Sequence, residues 1–101
     1  MKIRIEHNLP KDEIIRRMQK VFEELKDQYA SDVTIQEEKW QGDRATIAAV
    51  AKGIKVKSML LVGEEAVEFD LQLPLMLRMF ESQIRTEFEN EFRKRILEQD
   101  E

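Results

Sequence analysis

The sequence EEAVEFDLQLPLMLRMFESQI, residues 64–84, combines a strand pattern, a proline and the start of a helix. Its first half places an apolar residue at every second position, namely at Val67, Phe69, Leu71 and Leu73. A period of two with polar residues between predicts a β-strand with one buried face. Pro74 ends this strand, because proline has no N–H to donate to a neighbouring strand.

An apolar cluster follows Pro74 directly. Its members are Leu75, Met76, Leu77, Met79 and Phe80, interrupted only by Arg78. They are more apolar side chains than one helical turn can bury, so two interpretations stay open. Either the cluster fills the core, or part of it lies at the surface, where apolar patches mark interfaces and methionine adapts to varied partners. Under the second interpretation the binding residues are Leu75, Met76, Met79 and Phe80.

Two amphipathic helices are predicted, one on each side of a run of strands. The C-terminal helix has an apolar stripe at Ile84, Phe88, Phe92 and Ile96. The first helix begins with Pro10 at its first helical position, where the missing N–H costs nothing, and runs to about Tyr29. Its apolar positions are Ile14, Ile15, Met18, Val21, Phe22, Leu25 and Tyr29. Each helix therefore has one face to bury against a sheet.

Besides the strand that ends at Pro74, alternation predicts strands at 2–7, 33–40, 44–51 and 54–62, with turns at 41–43 and 52–53. A two-residue turn at 52–53 pairs Ala51 with Ile54, Ala49 with Val56, Ile47 with Ser58 and Ala45 with Leu60. An even loop to the last strand then pairs Val62 with Val67, Leu60 with Phe69, Ser58 with Leu71 and Val56 with Leu73. Both hairpins thus share one inner face.

The strand at 33–40 does not fit one register. A three-residue turn after it buries Val33 and Ile35, whereas a two-residue turn buries Trp40. A β-bulge would satisfy both requirements.

The third strand raises another question, because its inner face is small, with Ala45, Ala49 and Ala51. Either a helix packs closely there, or a groove remains between the helices and the sheet.

These elements predict a single α+β domain over residues 1–101, a two-layer sandwich of order β-α-β-β-β-β-α. The sheet has five mostly antiparallel strands, and both helices pack on one of its faces. The first strand is joined by a helix and not by a hairpin, so it could lie parallel beside a strand that is not its neighbour in sequence.

Composition narrows the function classes. The 101 residues include 17 basic and 21 acidic residues, giving a net charge of -4. This balance argues against a nucleic-acid partner, because nucleic-acid binding needs a concentrated positive face. There is no cysteine, which suits a reducing compartment. No signal peptide and no apolar run of about 18 residues is present, so a cytoplasmic protein without a membrane span is expected.

Nothing in the sequence predicts catalysis, a metal or a cofactor. His7 is the only histidine, and it continues the inward parity of Ile3 and Ile5, as expected for a partly buried side chain with its hydrogen bonds satisfied. The acidic residues Glu23, Glu24, Glu87, Glu89 and Glu91 lie on solvated helix faces and are expected to form ion pairs. The cations at 93–95 suit the last turns of a helix. We therefore expect a protein that is not an enzyme.

The chain resembles the small bacterial family of polyhydroxyalkanoic acid system proteins, found with genes for polyester-granule metabolism. The resemblance lies in His7-Asn8-Leu9, in Gly53 before an alternating strand, in Leu73-Pro74-Leu75, and in the final helix with Phe80, Ile84 and Arg85. It covers nearly the whole chain, although this sequence is richer in Glu and Met. It implies an accessory or granule-associated role and no reaction, and it transfers no catalytic or ligand residues.

Three functional hypotheses follow. The first is a binding protein that presents the apolar surface at 75–80 to a polyester granule, a granule protein or a second copy of itself. The second is a carrier of a small apolar ligand, such as an acyl chain, in a groove between the helices and the sheet. The third is a ribosome- or nucleic-acid-associated factor, supported by fold analogy and by the small basic cluster of Lys52, Lys55 and Lys57.

Overall fold

The computed structural model describes residues 1–27, 33–51 and 53–98. In chain order these residues form β1 (Lys2–Glu6), α1 (Lys11–Asp27), β2 (Val33–Gln41), β3 (Arg44–Ala51), β4 (Ile54–Val62), β5 (Ala66–Gln72), a 3₁₀ helix (Leu75–Phe80), α2 (Glu81–Phe92) and a π-helical turn (Arg93–Leu97). The predicted α+β order β-α-β-β-β-β-α is confirmed. Tyr29, the predicted end of the first helix, and Lys52 lie outside the described residues.

The described strands form one antiparallel sheet in the order β1-β5-β4-β3-β2. β1 lies beside a strand distant in sequence, as expected, but it runs antiparallel to β5, with Ile3 opposite Phe69 and Ile5 opposite Val67. The possible parallel placement is therefore wrong. α1 carries the chain back across the sheet, so β1 and β2 run in the same direction at opposite edges. The hairpins fix the order of β2 to β5, which leaves β1 an antiparallel neighbour at β5.

The predicted registers of the two central hairpins are confirmed. Ala51 pairs with Ile54 and Ala45 with Leu60 in the first hairpin, and Val62 pairs with Val67 and Ser58 with Leu71 in the second. The described pairing of β4 with β5 ends at Lys57 and Gln72, one step before the predicted Val56–Leu73 pair. Side-chain parity was sufficient to predict these registers, because a slip of one residue would turn the whole apolar face of a strand to solvent.

β2 contains the bulge that its two conflicting patterns required. Its register with β3 shifts between Ile35 and Glu37, leaving Gln36 as the extra residue. Ile35 is buried, and Val33 and Trp40 pack against the core from the two sides of the bulge. The turn itself is two residues long, since Gln41 pairs with Arg44, and Gly42 adopts a φ of 61° there. Glycine accepts this left-handed conformation without a steric cost.

The core lies between the sheet's inner face and the two helices. Inner-face residues of all five strands and the apolar stripes of α1 and the C-terminal helix form one cluster. At its centre, the ring of Phe69 makes edge-to-face contacts with Phe88 and Phe92, at centroid distances of 4.7 and 5.5 Å. Because residues of both helices share this one cluster with the inner face of the sheet, the prediction that both helices pack on the same face is confirmed. Aromatic pairs in this geometry add stability beyond their buried area.

The end of α2 accommodates its four-residue apolar repeat. An α-helix has about 3.6 residues per turn, so a stripe repeated every four residues drifts around the helix. The π-helical turn is wider, with a hydrogen bond from Glu98 N to Arg93 O. Phe92 and Ile96, at the two ends of this region, are both buried. The wider turn therefore keeps the last part of the stripe on the core.

The start of α1 differs slightly from the prediction. Pro10 lies one position before the first helical residue, and its carbonyl accepts hydrogen bonds from the N–H groups of Glu13 and Ile14 at 3.1 Å. α1 is also tied to the C-terminal turn, because Arg17 Nη1 donates to the carbonyl of Ile96 at 2.6 Å. None of the helices in residues 1–27, 33–51 and 53–98 is long and apolar enough to cross a membrane.

Candidate apolar docking surface

The 3₁₀ helix after Pro74 begins where the strand pairing ends. Pro74 has an extended backbone, with φ -55° and ψ 149°, and its carbonyl accepts the first hydrogen bond of the helix, from Leu77 N at 2.9 Å. The helix is six residues long, whereas such helices rarely exceed three or four. Among the described elements it packs chiefly against α2, and it contains no buried residue. The sheet therefore offers it little cover.

The spacing of this helix determines which side chains share a side. Because a 3₁₀ helix has about three residues per turn, side chains three apart line up. Met76 therefore aligns with Met79, Leu75 with Arg78, and Leu77 with Phe80. Leu77 is half-buried, so the side bearing Leu77 and Phe80 is the one turned toward the protein. The other two sides present Leu75, Met76, Met79 and Arg78 to solvent.

The predicted binding residues are exposed. The exposed fractions are 79% for Leu75, 70% for Met76, 81% for Met79 and 46% for Phe80. Of the two interpretations of the cluster, core filling is thus wrong for these four residues. We call them the apolar ridge. Single exposed apolar side chains are common on proteins, but four from one short segment are typical of an interaction surface.

A shallow groove adjoins the apolar ridge at the same end of the sheet. It has a volume of about 340 Å³, is open to solvent, and is lined in part by Ala49, Val56, Leu73 and Pro74. These inner-face residues are only half-buried, whereas Ala45 and Ile47, farther along β3, are buried under the helices. The small inner face of β3 is therefore closely covered at one end and open at the other.

The outer face of the sheet, opposite the helices, forms a broader open groove of about 1020 Å³. Met59 is 48% exposed there, and its neighbours across the strands are Thr46 and Asp70. Lys2, Arg4, Arg44 and Glu68 also line this groove. Cations and carboxylates alternate across it, so this face is mostly polar.

The ring nitrogens of His7 are both engaged by main-chain groups. Nε2 lies 2.9 Å from the carbonyl oxygen of Gly63, and Nδ1 accepts from the N–H of Leu9 at 3.2 Å. Since Nδ1 accepts, Nε2 is the ring nitrogen placed to donate to the Gly63 carbonyl. Gly63 is constrained as well, because a Cβ there would lie 2.9 Å from the carbonyl oxygen of Ala66. The predicted satisfied histidine at the corner between β1 and α1 is confirmed.

The helix carboxylates are only partly paired. Glu91 bonds Arg95 at 2.8 Å, which lowers the pKa of Glu91, and Glu23 lies 3.7 Å from Lys26. For Glu24, Glu87 and Glu89 the described residues contain no ion-pair partner, so the prediction is wrong for these three. Within the same ranges, no three histidine or acidic side chains come close enough to hold a metal ion.

The strongest electrostatic coupling is on the first turns of α1. The Arg16 and Arg17 guanidinium groups both bond the carboxylate of Glu13, at 2.6 to 2.9 Å. These hydrogen bonds lower the pKa of Glu13 from 4.5 to about 2. Since Arg17 also bonds the carbonyl of Ile96, Glu13 helps position the contact between α1 and the C-terminal turn. Its role is structural.

An inward-facing ion pair was missed from the sequence. Glu38 lies opposite Ile47 on the inner face, because the bulge at Gln36 reverses the parity of the residues after it. Its side chain is 9% exposed, contacts Lys26 Nζ at 2.9 Å and accepts from Trp40 Nε1 at 2.7 Å. The hydrogen bond that Lys26 donates to the Glu38 carboxylate raises the pKa of Lys26. The signal was present in the sequence, since a bulge that buries Trp40 also turns Glu38 inward.

Comparison with known proteins places the chain beside a described family. The model of the family described as "Putative polyhydroxyalkanoic acid system protein" matches residues 1–96, nearly the whole chain. No curated protein and no solved structure matches the chain significantly.

Proposed function

The chain belongs to the polyhydroxyalkanoic acid system protein family, and from this premise we propose that it is a non-enzymatic protein that docks through the apolar ridge onto an apolar surface, such as that of a polyester granule. The observation that carries the proposal is the exposure of Leu75, Met76 and Met79, each at 70% or more. Removing such side chains from water on docking is favourable, at about 25 cal/mol per Å² of apolar surface.

The chemistry of the ridge suits an irregular partner. Methionine has three rotatable bonds and a polarisable sulfur, so it adapts to surfaces that lack a fixed shape. A polyester particle is such a surface, whereas a folded partner offers a defined pocket. The engagement of both His7 nitrogens by main-chain groups supports assigning no reaction to this protein.

Binding to polyester particles tests the proposal directly. The double variant Met76→Ser, Met79→Ser removes apolar area without adding charge, and Met59→Ser is its matched control on the opposite face. We expect the double variant to bind at least tenfold more weakly, because each methionine loses part of the roughly 1.5–3 kcal/mol available on full burial. Met59→Ser should bind like the wild type. Unchanged binding by the double variant, or none by the wild type, would refute the proposal.

Self-association is one alternative use of the same ridge. Light scattering of the wild type and the double Met→Ser variant over a range of concentrations would detect it. A wild-type dimer that dissociates in the variant, without particle binding by either, would assign the ridge to a second copy of the chain.

A carrier role is the second candidate, favoured by the groove at Ala49, Val56 and Leu73. Its volume of about 340 Å³ is at the lower end of the range for small-ligand sites. Ala49→Phe would fill it. If the protein carries an acyl-type ligand, native mass spectrometry should show added mass on the wild type and none on this variant. No added mass on freshly purified wild type would exclude this role.

A cytoplasmic location is part of the same proposal, since a granule-docking protein must be in the compartment that holds the granules. Fractionation of cells with and without granules would test both statements together. The protein should move from the soluble fraction to the granule fraction, and the double Met→Ser variant should remain soluble.

A further inference from the structure

The apolar ridge is accompanied by cations. Arg78 lies within the 3₁₀ helix itself, aligned with Leu75, and is exposed. Lys55 and Lys57 line the groove that also includes Leu73 and Pro74, immediately before the ridge. Both lysines are exposed. Within residues 1–27, 33–51 and 53–98, none of these three cations forms an ion pair.

The opposite end of the sheet carries charges of both signs. Antiparallel pairing places the end of β1, the β2–β3 turn and the β4–β5 turn together at that end. Their carboxylates are Glu6, Asp43, Glu64 and Glu65. Arg4 bonds Glu6 at 3.0 Å, Lys11 bonds Asp43 at 3.2 Å, and Arg44 follows Asp43. The chain as a whole has a net charge of -4. The cations beside the ridge therefore reverse the overall sign locally.

The acidic residues around the ridge are balanced or face elsewhere. Asp70, two residues before the end of β5, lies 3.9 Å from the N-terminal amino group. Glu81 follows Phe80 directly, but it is half-buried in the first turn of α2. Glu23 and Glu24 belong to α1, which packs chiefly along β2 at the far edge of the sheet from β1. β5, from which the ridge continues, lies three strands away from β2.

We propose that the apolar ridge docks on an anionic phospholipid surface, with Lys55, Lys57 and Arg78 contacting the headgroups while Leu75, Met76 and Met79 enter the acyl boundary. This inference rests on the proposed function and specifies the charge and class of the surface. Interfacial segments of proteins combine exposed apolar side chains with flanking lysine and arginine in this way. The end of the sheet with Glu64 and Glu65 would then face away from the lipid.

The expected electrostatic effect can be estimated. A lysine or arginine near an anionic membrane surface contributes about 1 kcal/mol, or roughly fivefold in partitioning. Removing both Lys55 and Lys57 should therefore weaken binding by about 25-fold. The contribution should vanish at about 1 M salt, where charges are screened within about 3 Å. Preference for an anionic surface by a chain of net charge -4 requires a local cationic patch.

Vesicle co-sedimentation tests the inference. The probes are vesicles of phosphatidylcholine alone and vesicles that also contain phosphatidylglycerol. The variant Lys55→Gln, Lys57→Gln is compared with Lys20→Gln, Lys94→Gln, which changes the net charge equally on α1 and the C-terminal turn. We expect wild type and control to prefer the anionic vesicles at low salt and the Lys55 and Lys57 variant to lose that preference. Equal binding to both vesicle types, or equal losses in both variants, would overturn the inference.

Failure of this inference can be distinguished from failure of the proposed function. If polyester particles are bound but vesicles are not, only the lipid inference fails. If neither surface is bound, both fail. A salt-dependent gel shift with duplex DNA that requires Lys55 and Lys57, without vesicle binding, would instead assign these cations to a nucleic acid.

Discussion

Two consecutive apolar segments of this chain differ completely in burial. The apolar residues of β5 are all buried. They are Ala66, Val67, Phe69 and Leu71. The 3₁₀ helix, which begins three residues after β5 ends and has five apolar residues out of six, contains no buried residue. Hydrophobic composition is thus a poor guide to burial at this point. What differs is the cover, because Phe88 and Phe92 of α2 pack on Phe69 of β5, whereas little besides α2 contacts the 3₁₀ helix.

The comparison predicts that stability and docking depend on different segments. β5 should determine stability and contribute nothing to docking, whereas the apolar ridge should determine docking and contribute little to stability. A variant that changes both stability and docking would contradict this separation.

The largest effect on stability is expected from Phe69→Ala. Phe69 is 5% exposed and contacts Phe88 and Phe92, so its removal leaves a cavity between the sheet and α2. We expect a loss of about 3–5 kcal/mol in the free energy of unfolding, measured by urea denaturation. A loss below about 1 kcal/mol would show that the two layers are less closely packed than the ring contacts indicate.

Ser58→Ala should have a smaller effect of opposite sign. The side chain lies on the inner face between Ile47 and Leu71, and its hydroxyl has no hydrogen-bond partner among the described residues. Burying an unpaired hydroxyl is unfavourable, so removing it should stabilise the protein by about 1 kcal/mol. Urea denaturation would measure this. Destabilisation by the substitution would show that the hydroxyl makes a favourable bond.

Glu13→Gln extends the comparison to pH. The pKa of Glu13 is about 2 in the fold and 4.5 without its partners, so its stabilising effect is complete above pH 4.5 and is lost as the pH falls to about 2. The variant should be less stable than wild type at pH 7, and the difference in urea midpoint should disappear near pH 2. Glu87→Gln is the control, because this exposed carboxylate has no ion pair in the described residues. A difference that does not change with pH would contradict the assignment.

The smallest effect on stability is expected from the double variant Met76→Ser, Met79→Ser. Both side chains are at least 70% exposed, so the free energy of unfolding should change by no more than about 0.5 kcal/mol. Particle binding by the same sample should nevertheless fall. A loss of several kcal/mol would place these methionines in the core in solution and remove the distinction between the two segments.

Much of the architecture could be predicted from local pattern. The face of each strand, the registers of both central hairpins and the need for a bulge in β2 follow from side-chain parity, since a buried face tolerates no slip of one residue. The apolar stripes of α1 and α2 follow from helical periodicity in the same way. Parity also implied the inward position of Glu38, although that consequence was missed.

The sequence by itself thus determined the elements, the faces they bury and a segment at 75–80 too apolar for its length, because periodicity is a local property of the chain. Only the tertiary structure decided that β1 lies antiparallel to β5, that Lys55 and Lys57 adjoin the groove before Leu75, and that four apolar residues of that segment are exposed. These depend on which elements cover one another across the whole chain. A local sequence pattern shows which side chains favour burial. The packing of the elements decides which of them are buried.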